Sequence, residues 1–120
     1  MVAFLAALSG RSPLFRTGTE RITPAARELL DEYSVSAGEL LVAHVTGAWA
    51  PSSRWGATCP EDYVANVDAL ETGARIIGFF SLGAEGDGSP GDDTRVWVIT
   101  GAQDDTGTRR STLILLPWEY

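Results

Sequence analysis

The sequence contains no lysine, one cysteine and one histidine. Without a lysine amine there is no Schiff-base nucleophile and no phosphate-loop cation, which excludes imine-forming catalysts and Walker-type nucleotide sites. Cys59 closes no internal disulfide. With His44 as its sole soft-ligand companion, it supplies no four-ligand zinc site. A reducing, cytoplasmic setting is expected. The apolar stretch Val2 to Leu8 has no basic residue before it and is short even for a signal core, so neither secretion nor a membrane span is expected. No GxGxxG follows a strand, no GxSxG elbow occurs, and Glu85, Asp87, Asp92 and Asp93 lack EF-hand spacing. No cofactor, metal or catalytic residue is therefore expected.

What the chain does contain is a globular composition. Its 120 residues are 44% hydrophobic and 21% charged, enough for one core that removes roughly two-thirds of the unfolded surface from water. Sixteen acidic residues face nine arginines, for a net charge of −7. An acidic surface repels phosphate backbones, so direct nucleic-acid binding is not expected.

Residues 1–18 read as an N-terminal arm and 19–120 as a single domain. Thr19 to Ile22 suit a short strand. A helix is predicted from Pro24, capped by the Thr23 hydroxyl, to about Tyr33. Ser36 and Glu39 spell a capping box for a second helix carrying Leu40, Leu41, His44 and Val45, stopped by Gly47. The loop from Gly47 to Cys59 holds Trp49 and Trp55. Pro60, Glu61 and Asp62 open a third helix that Gly73 ends. The period then becomes extended at Arg75–Leu82, Arg95–Thr100 and Thr112–Leu116, separated by Gly- and Asp-rich connections. The expected fold is α+β: two to three helices packed on one face of a three- to four-stranded antiparallel meander.

A catalytic reading would pair His44 with Cys59, although no Cys-His motif surrounds either. A small hydrolase or transferase using His44 is one alternative. The carboxylate pairs are sequence neighbours, and adjacency does not converge two side chains on one site. They serve better as recognition surface. Glu85, Asp87, Asp92 and Asp93 before the middle strand, and Asp104 and Asp105 after it, would form two acidic poles about 20 Å apart. Such poles can imitate phosphate spacing and occupy a basic groove on another protein. Trp49 and Trp55 are candidate contacts in the loop, and Trp97 is expected in the core.

The run TPAARELL from Thr23, His44-x-x-Gly47-x-Trp49, Asp62-x-x-x-Asn66, Trp97-Val98-Ile99-Thr100 and Leu115-Leu116-Pro117-x-Glu119-Tyr120 together resemble a group of short uncharacterised proteins of bacterial plasmids and other mobile elements. The resemblance spans roughly residues 20–120 and brings no catalytic residues with it. The chain departs from the group in a longer loop after Trp49. It also reads Ile99-Thr100-Gly101-Ala102-Gln103-Asp104-Asp105 where the group has an ITEADR turn. The resemblance and the charge imply a non-enzymatic binding protein, monomer or homodimer, with a protein partner. A host defence complex of the CRISPR or restriction type is the expected target, inhibited at a basic nucleic-acid-binding surface. A regulatory or toxin-neutralising module is the other binding alternative.

Overall fold

The computed structural model describes residues 13–49, 59–82 and 95–120. Its elements run β1 (Thr19–Ile22), α1 (Pro24–Glu32), α2 (Ala37–Val45), α3 (Pro60–Thr72), β2 (Ile76–Ser81), β3 (Arg95–Thr100) and β4 (Ser111–Leu115), then a 3₁₀ turn, Pro117–Glu119. The helix starts follow from their caps. The Ala26 amide donates to the Thr23 hydroxyl, and Ser36 and Glu39 close a reciprocal box. Each such cap contributes about 1 kcal/mol. Gly73 ends α3 in the left-handed region at φ 81°. A Cβ there would also press on the Gln103 side chain.

The sheet is mixed, which corrects the antiparallel meander expected from sequence. Its order is β1-β4-β3-β2; β2, β3 and β4 form the meander, and β1 runs parallel to β4. Only strands joined by hairpins are obliged to alternate. β1 is separated from β2 by all three helices and returns to the sheet at its far edge, where a parallel register places Ile22 beside Ile114.

All three helices pack on one side of the sheet, α1 on β4, α2 on β3 and α3 on β2. The core there unites Ala26, Leu30, Leu40 and Ala69 with Ile76, Phe80, Val96, Val98 and Ile114. The β2 edge is closed by a side chain. Asn66 of α3 accepts from the Ile77 amide at 3.1 Å and donates to its carbonyl at 2.7 Å, taking the place of a neighbouring strand. Residues 13–18, assigned to the arm by sequence, join the body. Leu14 donates to the Val45 carbonyl and Phe15 lies on the rings of His44 and Trp49.

The C-terminal motif is tied to the start of α1. Glu119 accepts from the Leu116 amide and from the Thr23 hydroxyl, so the turn after β4 is bonded to the N-cap of α1.

Candidate functional site

His44 sits on the inner face of α2 and is fully buried. It is reached because Gly78 of β2 has no side chain: a Cβ there would lie 2.8 Å from His44 Nδ1 and 2.9 Å from Trp49 Cδ1. Both imidazole nitrogens are engaged. Trp49 Nε1 is within 3.1 Å of Nδ1, and Nε2 is 3.0 Å from the Thr100 hydroxyl. That hydroxyl is 2.7 Å from the Thr112 hydroxyl, which donates to the Thr17 carbonyl at 2.8 Å.

The direction of this chain of bonds is determined by its ends. An indole N–H can only donate and a backbone carbonyl can only accept. Thr112 gives its proton to Thr17 and so accepts from Thr100. Thr100 in turn accepts from His44 Nε2–H, and Nδ1 accepts from Trp49. His44 is thus the neutral Nε2–H tautomer. Burial first, and the Arg109 guanidinium second, push its imidazole down to about 3 from 6.5. The bonds join the loop after α2, the helix itself, β3, β4 and the segment before β1.

The His44–Cys59 pairing is not formed. Cys59 is exposed at the start of α3, and its thiol donates to the Asp62 carboxylate at 3.1 Å. The Asp62 amide pulls the thiol pKa down, but its bonds to the Asp62 and Glu61 carboxylates, with some desolvation, leave it above its ordinary value. A thiol so held is a poor nucleophile.

Arg109 is 6% exposed. Its Nη1 donates to the carbonyls of Ala74 and Gly101, and Nη2 to that of Ala69 in the last turn of α3. The cation is stabilised there by the negative end of the helix. It also lies over the Phe15 ring, 5.8 Å from its centre. Arg109 borders a cleft of about 470 Å³ whose wall also includes Leu14, Phe15, Arg16 and Gln103. His44 is not part of that wall.

The expected contact residues fall in different places. Glu85, Asp87, Asp92, Asp93 and Trp55 lie outside the described residues. Trp49 is 1% exposed and belongs to the core, a correction to its reading as a loop contact: its indole fills the space over Gly78 and holds His44. Asp104 organises the β3–β4 turn. It accepts from Thr106 and Thr108 and forms an ion pair with Arg110 at 2.6 Å. The Thr106 hydroxyl above all, then the Thr108 and Thr106 amides and Arg110, hold its carboxyl well below the usual range. Asp105 is exposed.

A concentration of charge that sequence order conceals lies on the helices. Glu28, Asp31 and Glu32 on α1, Glu39 on α2, and Glu61, Asp62, Asp68 and Glu71 on α3 are all exposed, and Arg27 is the single arginine in the three helices, whose other basic residue, His44, is buried. Among the described residues, none of these eight carboxylates is in an ion pair. The order of packing sets α1 and α3 on either side of α2. The carboxylates of α1 and of α3 therefore stand in separate rows, one over β4 and one over β2. On α3 the row includes the exposed Val64 and Val67 at helical spacing with Asp68 and Glu71.

No family model matches the chain, and no curated protein or solved structure is significantly similar to it.

Proposed function

We propose that the chain is a non-enzymatic binding protein whose acidic helical layer covers a cationic, nucleic-acid-binding surface on another protein. The observation that supports it is the set of eight exposed carboxylates on the helices against the one arginine there. Like charges three or four residues apart, such as Glu28 with Asp31 and Glu32, cost a few tenths of a kcal/mol per pair. A basic partner would turn that self-repulsion into attraction and steer association. Inhibition of a CRISPR or restriction complex is the setting that joins this surface to the mobile-element motifs. The proposal moves the recognition surface from the loops named by sequence to the helices.

The buried, doubly bonded His44 favours this reading over a hydrolase or transferase. It offers no free nitrogen to a substrate.

The test is displacement of a duplex DNA oligonucleotide from purified CRISPR effector and restriction complexes. The chain is expected to displace DNA from at least one of them, less effectively as salt rises. Neutralising Glu28, Asp31, Glu32, Asp68 and Glu71 to their amides is expected to weaken displacement roughly thirtyfold, from several partly screened charge contacts. Undiminished displacement by that variant, or none by the native chain on any complex, would count against the proposal.

A further inference from the structure

The sheet has a second face, and its chemistry is the reverse of the helical layer's. Alternation along paired strands turns Ile77, Phe79, Trp97, Ile99, Leu113 and Leu115 away from the helices. Strands with one solvated face read apolar-in and polar-out; strands apolar on both sides belong to sheets covered on both sides. Here β3 is apolar on both, while α1, α2 and α3 all lie on the inner one. Ile77, Phe79, Trp97, Ile99 and Leu113 are only half-buried.

Charge is sorted the same way. Among the described residues, the outward strand positions include the exposed Arg21 and no acidic residue. Arg75, just before β2, joins the rim. In a chain with sixteen acids and nine arginines, a sheet face with Arg21 and Arg75 at its rim and no acidic residue among its described strand positions is complementary to an acidic partner, not to the basic one that suits the helices. A twofold pairing of this face with itself would bring arginine rims together, which disfavours a second copy.

The face also displays the kind of group it holds. Tyr120 lies against Trp97 with ring centres 5.2 Å apart, Arg75 donates to its hydroxyl at 2.7 Å, and the same guanidinium lies 5.8 Å from the Tyr120 ring centre. One aromatic residue is thus seated between an indole and an arginine, and it remains largely exposed. We propose that the outward sheet face, centred on Trp97 and Ile99, docks a protein segment carrying aromatic residues flanked by Asp or Glu. Such a segment would extend over Ile99 and Leu113 the contact that Tyr120 makes with Trp97 and Arg75. Its acidic flanks would meet Arg21 and Arg75.

The experiment is selection of a displayed random-peptide library on the full chain, followed by calorimetric titration of the enriched peptides. Acidic, aromatic peptides are expected, with binding weakened about tenfold or more by Trp97→Gln and about fivefold by Arg21→Glu. Amide variants of Glu28, Asp31 and Glu32 are expected to bind them unchanged, which separates this face from the helical one. Arg21 is exposed on an edge strand, so its variant decides the matter should Trp97→Gln fail to fold. Failure of any peptide to enrich, enrichment of basic peptides, or dependence on the helical carboxylates would overturn the proposal. So would a Trp97-dependent dimer in sedimentation velocity, which assigns the face to a second copy. Trp97-dependent binding of an oligothymidine would equally overturn it and assign the face to single-stranded nucleic acid.

Discussion

Between pH 6.5 and about 3 the unfolding free energy is expected to fall by roughly 1.4 kcal/mol per pH unit on account of His44 alone. Its folded pKa is lowered, so the unfolded chain takes up a proton near pH 6.5 that the folded chain refuses until about pH 3. The unfolded state binds more protons throughout that window, and stability drops with falling pH. His44 therefore contributes its full share above pH 6.5 and none of it below pH 3. Asp104 acts in the same direction, but only as pH falls through and below the ordinary carboxylate range. The interval from pH 6.5 to pH 5 isolates the imidazole. Urea unfolding at half-unit steps checks this, with His44→Gln as the comparison. The variant is expected to be less stable at pH 7, because Trp49 and Thr100 lose their partner, and to show a flat profile across the interval. A profile as steep as that of the native chain would assign the proton elsewhere.

Trp49→Ala is expected to lower stability by about 3–5 kcal/mol, the range for removing a large aromatic from a core. That is a large share of the 5–15 kcal/mol available to an ordinary domain. Three losses coincide at this residue. The indole is 1% exposed, it stacks on Phe15, and its N–H is the donor that begins the bonds through His44 to Thr17. Trp49→Phe separates these contributions. Phenylalanine retains much of the ring contact and leaves Nδ1 of His44 unpaired, at about 1–3 kcal/mol. Thermal or urea denaturation with intact far-UV spectra measures both. Equal losses in the two variants would show that the polar bond, rather than the ring, carries Trp49's contribution.

Helices and meander strands were legible because their signals are local. Thr23-Pro24, the Ser36–Glu39 box and Gly73 each act within a turn of chain, and each is found where the spacing placed it. The parallel pairing of β1 was not legible, since it joins positions 92 apart in sequence, such as Thr19 and Ser111. Trp49 was misplaced for a related reason. Its neighbours Gly47, Pro51 and Ser52 mark a loop, and nothing in the local pattern reveals that Gly78 leaves a recess to receive it. Trp97 was assigned to the core on its strand position, but the register turns it to the outer face opposite Leu115.

The charged surfaces were hidden by sequence order. Asp104 looked like half of an acidic pole, yet its oxygens are committed to Thr106, Thr108 and Arg110. The helical carboxylates are scattered over forty-odd positions and become one surface only when α1, α2 and α3 line up on the sheet. The arginine-bordered outer face likewise emerges only from the strand register. Hydrophobic alternation did carry a hint: R-V-W-V-I-T has too few polar residues for a strand with one wet side.

The chain's one imidazole, His44, is assigned to the scaffold by its full burial and by the bonds to both its ring nitrogens. Nitrogen-resolved NMR of the His44 ring, followed from pH 7.5 to 5, tests that assignment most directly. The predicted result is an unchanging neutral ring protonated at Nε2, with an indole N–H coupled to Nδ1. A ring that titrates near pH 6.5, or that exchanges between tautomers, would contradict it and return His44 to the list of groups free to do chemistry.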